Sequence, residues 1–302
     1  MTEVAHEIRR GEELDIERLS DYLHEKLNSS SREVTVAQFP AGSSNLTYLV
    51  TIGDEEYVLR RPPFGNTVKS AHDMGREFRV LSKLSTVYPP APKPLLYCAD
   101  ETAIGSEFYL MERREGLIIR GNAAPNAGKD SLDPRSNQIE QFNTSQDFRL
   151  SICNAFMQNL ADLHALDYTA GGLSDLGHPE GYAQRQVEGW TKRYRAAKTD
   201  EHTELESAIN WLNDNIPADS DASLVHNDYK FDNVMLDPND LSRITAVLDW
   251  EMVTIGDPLM DLGTTLGYWM SRDAGDEMLN MPFNPRALME NISRRQLVEM
   301  YA

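Results

Sequence analysis

The sequence has little that would staple it, anchor it in a bilayer or draw it to a polyanion. Its two cysteines, Cys98 and Cys153, stand at no metal or redox spacing. That excludes a disulfide framework and a zinc site, and fits buried thiols in a reducing compartment. No apolar run nears the roughly 20 residues that cross a bilayer. The polar stretch from Met1 to Glu13 lacks the apolar centre of a secretory signal, so a cytoplasmic protein with no membrane partner is expected. Basic residues number 29 against 48 acidic ones, a formal net charge of −19, and no basic run exists. A nucleic acid would be repelled, and none is expected as a partner. The acidity would favour a cationic ligand, but solubility is its commoner purpose. With 302 residues, 40% of them hydrophobic, the chain has the length of about two structural units and a core that needs no staples.

Against this plain background one stretch stands out: His226-Asn227-Asp228-Tyr229-Lys230-Phe231-Asp232-Asn233. A carboxylate, an ammonium and an amide at this spacing can together handle a phosphoryl group and its metal. A loop entering after the apolar run Ala222 to Val225 presents Asp228 to an acceptor hydroxyl and delivers Asn233 to a metal five residues later. Val247-Leu248-Asp249-Trp250 then supplies a second carboxylate at the end of a strand expected over Ile244 to Leu248. One carboxylate, one amide oxygen and nucleotide phosphates suffice for magnesium, a hard cation that keeps several waters. In this reading Asp228 is the base, Lys230 neutralises charge on the transferred group, and Asn233 and Asp249 hold Mg2+.

Periodicity organises the rest. Leu14, Ile16, Leu19, Tyr22, Leu23 and Leu27 share one helical face, giving an N-terminal helix within residues 1–30. Strands are expected at Val34 to Phe39, Leu46 to Ile52, Glu56 to Arg60, Tyr97 to Ala99 and Phe108 to Glu112, with a helix from Ser70 to Leu84 after the Pro62-Pro63 breaker. Residues 120 to 146 read as a long polar loop. Phe148, Ile152, Phe156, Leu160, Leu163 and Leu166 then mark a long buried helix carrying His164, which is expected to be structural. Asp257 before Pro258 reads as a helix N-cap.

Taken together, His-x-Asp-x-Lys-x-x-Asn, the later Leu-Asp-Trp and Gly256-Asp257-Pro258-Leu259-Met260-Asp261-Leu262 resemble the aminoglycoside phosphotransferase branch of the protein-kinase-like superfamily. The resemblance implies an α+β, two-lobed fold. Residues 31–113 would form a small nucleotide-binding lobe of a five-stranded antiparallel sheet plus one helix, and residues 114–302 a large, mostly helical catalytic and acceptor lobe. It implies ATP and Mg2+ as cofactors and structural support from His226 and Asp261. On the third strand a basic residue should hold the nucleotide phosphates, fixed by a helix glutamate. Arg60 stands where lysine is usual, with Glu77 as its partner, and alternation favours Arg60 over Arg61. The alternative is an exposed strand charge. The turn Ala41 to Asn45 has one glycine, so Ser43 and Ser44 and free backbone amides would cover phosphates. Met111 would wall an adenine that bonds backbone near Glu112 and Arg114.

Tyr182, Arg185, Gln186, Trp190 and Tyr194, with Tyr57-Val58-Leu59-Arg60-Arg61-Pro62-Pro63, most resemble the subgroup of kinase-like domains fused to acyl-CoA dehydrogenases. That subgroup implies phosphorylation of a small-molecule hydroxyl, as in a hydroxyacyl thioester or hydroxy acid, with Arg185, Trp190 and Arg193 as substrate-binding candidates. An amphipathic helix with Trp190 in the core is the competing reading. Members of the subgroup often continue further, and Arg294 to Ala302 reads as a helix without a stop signal, as in a truncated large lobe. The resulting expectation is a small-molecule kinase. Its rivals are a non-catalytic nucleotide-binding protein and an aminoglycoside or protein kinase. The last is disfavoured because Asp249 runs straight to Gly256-Asp257-Pro258 with no room for an activation segment.

Overall fold

The computed structural model describes residues 5–27, 31, 33–40, 45–65, 73–119, 146–271, 288 and 291–302. Five strands, β1 (Val34–Gln38), β2 (Leu46–Ile52), β3 (Glu55–Arg61), β4 (Pro94–Cys98) and β5 (Phe108–Glu112), form an antiparallel sheet in the order β1-β2-β3-β5-β4. Period-two alternation divides its residues between two faces. Tyr48, Val50, Leu59, Phe108 and Leu110 pack beneath α1 (Ile16–Leu27), whose Leu19 and Leu23 are fully buried, a contribution of about 1.5–3 kcal/mol each. Ile16, expected on the same face, is 41% exposed. Val58, Tyr109 and Met111 face α2 (Met74–Leu84) and the rest of the molecule.

Helix α2 starts four residues later than the expected Ser70. Asp73 is extended and its side chain accepts from the Arg76 amide at 2.7 Å, which fixes it as the N-cap. Strand β4 also differs from the expected Tyr97 to Ala99: it begins at Pro94 and ends at Cys98. Proline has no N–H to donate and is tolerated here because β4 is an edge strand and Pro94 its first residue.

The large lobe is helical with two small sheets. Helices α3 (Gln146–His164), α4 (Tyr182–Ala197), α5 (Thr203–Asp214), α6 (Pro258–Tyr268) and α7 (Arg294–Tyr301) carry most of it. Strands β6 (Leu117–Ile118), β8 (Val234–Asp237) and β9 (Asp240–Val247) form one sheet, and β7 (Ser223–Val225) pairs with β10 (Thr254–Gly256). The 120 to 146 loop lies outside the described residues except for Gln146, which opens α3. The chain passes from β5 to β6 through Gly116. A Cβ there would sit 2.7 Å from Thr245 Oγ1 and 2.9 Å from Met235 Cβ, so only glycine lets the crossing lie this close to β8 and β9. Among the described residues no helix is long and apolar enough to cross a membrane. Cys98 and Cys153 are buried free thiols.

Candidate active site

The loop after β7 is pinned from below before any polar chemistry is arranged. Tyr229 and Phe231 are buried against Phe156 of α3, the Phe231 and Phe156 rings stacking at 4.2 Å. The Tyr229 hydroxyl donates to the Phe156 carbonyl at 2.9 Å. With those two side chains facing the core, Asp228, Lys230 and Asn233 are left to line the cleft between the lobes.

Helix α6 holds the same loop from another side. Asp257 caps it by accepting from the Leu259 amide at 2.8 Å, and Pro258 occupies the first turn. One turn on, the buried Asp261 accepts from the amides of His226 (2.7 Å) and Asn227 (2.8 Å) and from His164 Nε2 (3.0 Å). His164, the last residue of α3, therefore serves a carboxylate, with Tyr301 at its other nitrogen at 2.7 Å. A further turn along, Thr265 donates to the Tyr229 carbonyl at 3.0 Å. His226 is held as the Nε2–H tautomer: Nε2 lies 2.9 Å from the Leu248 carbonyl, which can only accept, and Nδ1 receives the Asp228 amide at 3.3 Å. It thereby ties the Asp228 loop to the strand that delivers Asp249.

Asn227 has φ 64°, a left-handed conformation that asparagine tolerates better than most residues. The Tyr182 hydroxyl donates to its Oδ1 at 3.0 Å, and its Nδ2 donates to the Met252 carbonyl at 3.0 Å. The Tyr182 ring rests on Gly256, where a Cβ would meet ring atoms at 2.6 to 2.9 Å. Gly256→Ala is therefore expected to push Tyr182 off Asn227 and to destabilise the protein by about 1–3 kcal/mol through overpacking. Thermal melts of Gly256→Ala and Tyr182→Phe check this, with the glycine variant expected to lose more.

Arg60 is buried, not an exposed strand charge, and it spans two acids. Its Nη1 donates to Glu77 Oε1 and its Nη2 to Asp249 Oδ1, both at 2.9 Å. Sheet alternation explains the choice of arginine: Arg60 lies with Val58 on the cleft side, whereas Arg61 donates to the Ile104 carbonyl and stacks on Phe64. Burial disfavours the Arg60 charge, but Glu77, Tyr109 and Asp249 outweigh it and hold the guanidinium well above its usual range. Burial pushes Glu77 up to about 7 against the pull of Arg60. For Asp249 burial acts upward too, yet Arg60 and, more weakly, Lys230 keep the carboxyl below its usual value. Asp249 itself has φ 65°, a strained conformation for a non-glycine residue. The neighbouring α2 helps impose it: Glu77 Oε1 receives the Trp250 amide at 3.3 Å, and Arg76 donates to the carbonyls of Glu251 (2.8 Å) and Val253.

The cleft has a volume of about 260 Å3. Part of its wall is apolar, from Phe39, Val58, Met111, Ile118, Met235 and Leu248; the rest carries Arg60, Asp228, Lys230, Asn233 and Asp249. Glu112 and Arg114 also border it, with Arg114 Nε donating to Glu112 Oε1 at 2.7 Å. The Glu112 amide is committed to the Lys93 carbonyl at 2.9 Å. A ligand there would have to bond to other backbone groups of this segment. Ser43 and Ser44 lie outside the described residues. Asn45, next in the chain, donates to Glu251 Oε2 at 2.7 Å and so links the start of β2 to the Asp249 segment.

The substrate candidates on α4 are less concentrated. The Arg185 guanidinium is bound to the carbonyls of His178 and Glu180 and closes the turn before the helix. Trp190 is 54% exposed, which overturns its reading as a core residue, and Arg193 stacks over its ring at 4.7 Å. At about 1.5 Å per residue, Trp190 lies roughly 12 Å along α4 from Tyr182, the residue that touches the loop.

Residues 35–284 match the family model described as the phosphotransferase enzyme family. The chain belongs to that family. Its relatives include human acyl-CoA dehydrogenase family member 11, 38% identical over 253 residues that cover 82% of this chain and 30% of the relative. Probable acyl-CoA dehydrogenase IBR3 of Arabidopsis thaliana is 32% identical over 271 residues, covering 85% and 31%. This phosphotransferase chain thus spans about a third of the length of these relatives. Among solved structures, a Ralstonia eutropha protein provisionally named as an aminoglycoside phosphotransferase superposes with a TM-score of 0.72 at 30% identity, over 96% of this chain and 80% of that one. The aminoglycoside phosphotransferase APH(4)-Ia, in a ternary complex with ADP and hygromycin B, shares the fold at a TM-score of 0.55 and 17% identity, covering 83% and 76%. The two-lobed, kinase-like architecture is shared with these two solved structures.

Proposed function

We propose that the protein transfers the γ-phosphoryl group of ATP, with magnesium, to a hydroxyl of a small molecule. The observation that carries this reading is the convergence of Arg60, Asp228, Lys230, Asn233 and Asp249 on one cleft that also has an apolar wall. An apolar slot beside a charged end suits a purine nucleotide. ADP bound in the APH(4)-Ia complex supports the choice of nucleotide class.

The donor set suits magnesium. Asn233 directs its Nδ2 to Asp228, at 2.9 Å from both the carbonyl and Oδ2, which turns its amide oxygen away as a ligand. Arg60 takes one Asp249 oxygen and leaves the other for an ion. Among the described residues no group of three or more His, Cys, Asp or Glu side chains is arranged to hold a metal ion by itself, so phosphates and water would have to complete the shell. Bound there, magnesium would neutralise charge developing on the phosphates. Asp228 would orient the acceptor hydroxyl and take its proton, Lys230 would turn to the transferred group, and Arg60 would hold the remaining phosphates from β3.

For the acceptor we favour a hydroxyacyl thioester or hydroxy acid over an aminoglycoside. The relatives' acyl-CoA dehydrogenase names support it. So does the Arg193–Trp190 pair, which suits an anionic molecule with an apolar body long enough to reach α4. Asp249→Ala is the test of the nucleotide half. Phosphate release from ATP should fall at least about 10²-fold, and magnesium should cease to strengthen ATP binding in calorimetry. Unchanged magnesium dependence would leave a metal-independent nucleotide-binding role.

A further inference from the structure

Every hydrogen-bonding position of the Asp228 carboxylate is taken. Lys230 Nζ donates to both oxygens at 2.9 Å, Asn233 Nδ2 donates to Oδ2 at 2.9 Å, and Tyr268 Oη donates to Oδ1 at 2.8 Å. A carboxylate offers about four lone-pair sites, so a fifth donor, such as an acceptor hydroxyl, has no place. One of the three residues must leave first.

Charge decides which. Asn233 and Tyr268 are neutral donors set on rigid elements, one on each oxygen. Lys230 is a flexible cation, partly exposed, and the one group of the three that a polyphosphate would attract. Tyr268 also lies under it, with the Lys230 ammonium 4.9 Å from its ring centroid. If Lys230 swings to a phosphate, Tyr268 and Asn233 remain, fixing the plane of the carboxylate and leaving one lone pair free on each oxygen.

We propose that Tyr268 is a positioning residue of this site. Its hydroxyl keeps Asp228 oriented once Lys230 has been drawn to the nucleotide, and its ring is the platform from which Lys230 departs. This rests on the phosphotransfer reading above. The placement follows from α6: Asp261, Thr265 and Tyr268 recur at i, i+4 and i+7, one helical face. They grip the loop at three successive points, the His226 and Asn227 amides, the Tyr229 carbonyl and the Asp228 carboxylate. The first two grips fix backbone. The third fixes the reacting group.

The test compares wild type, Tyr268→Phe, Tyr268→Leu and Asp228→Asn in steady-state phosphate release from magnesium ATP, with water as acceptor, and in thermal melts. Tyr268→Phe keeps the ring and loses one hydrogen bond. It should cut kcat about 5- to 20-fold, with KM for ATP within about twofold and the melting temperature close to wild type. Tyr268→Leu, which also removes the platform, should fall further. A Tyr268→Phe variant with wild-type kcat overturns the proposal, as does a loss that appears only in KM or only alongside a lowered melting temperature. A wild type that binds magnesium ATP but releases no more phosphate than Asp228→Asn overturns both the proposal and the reading beneath it.

Discussion

Asp228→Asn is expected to abolish turnover while leaving the nucleotide in place. The substitution is isosteric and retains acceptors for the Lys230 and Tyr268 donors, but an amide cannot take a proton from an acceptor hydroxyl. Loss of a general base costs about 10²- to 10⁴-fold. The change should fall on kcat, because the apolar wall, Arg60 and Asp249 do not depend on Asp228. Steady-state kinetics with ATP binding by calorimetry would separate the two quantities. A variant that lost ATP affinity and kept kcat would assign Asp228 to nucleotide binding.

Arg60→Met should be the most destabilising single change near the cleft. It removes the one cation between Glu77, whose side chain is 1% exposed, and Asp249, at 25%. Removing one member of a buried charge pair costs about 3–5 kcal/mol. The pH dependence has a definite sign. Glu77 already binds its proton more tightly in the folded protein than in the unfolded chain, since burial holds it at about 7 against an ordinary 4.5. A raised folded-state value contributes stability at low pH that is lost as pH rises through it. Without Arg60 the Glu77 value climbs further. Denaturant titrations from about pH 5 to about pH 8 should therefore show the gap between Arg60→Met and wild type widening with pH. A gap that narrowed would mean that Glu77 stays charged and finds another partner. Arg60→Lys should recover part of the loss, since lysine replaces the charge but not the fork that reaches both acids.

Legibility in the sequence followed chain distance. Asp228, Lys230 and Asn233 sit within one loop and Asp249 one hairpin later, so their residue types and spacing could be read directly. Two-residue alternation on β3 was enough to separate Arg60 from Arg61. The start of β4, hidden by Pro94, and the strand β8 with the first half of β9, where β8 follows Asn233 without a break, carried no clear pattern, although the second half of β9 was legible from Ile244 onward. The supports were least visible. Arg76, Thr265 and Tyr268 are ordinary helical residues whose partners lie far along the chain, and only the folded chain brings them to the loop. A helical repeat counted from Asp261 would have indicated Thr265 and Tyr268; Arg76 had no such signal. Trp190 shows the opposite failure, because helical spacing says which residues share a face but not whether that face is covered.

Phosphoryl transfer from ATP to a small hydroxylated molecule through Asp228 can be followed with ATP labelled in its γ-phosphate. With magnesium present, wild type and Asp228→Asn would each be offered hydroxyacyl thioesters, free hydroxy acids, amino alcohols and aminoglycosides. Label is expected on hydroxyacyl thioesters or hydroxy acids with the wild type and none with the variant. Equal labelling by both proteins, or label carried only by added protein substrates, would contradict it.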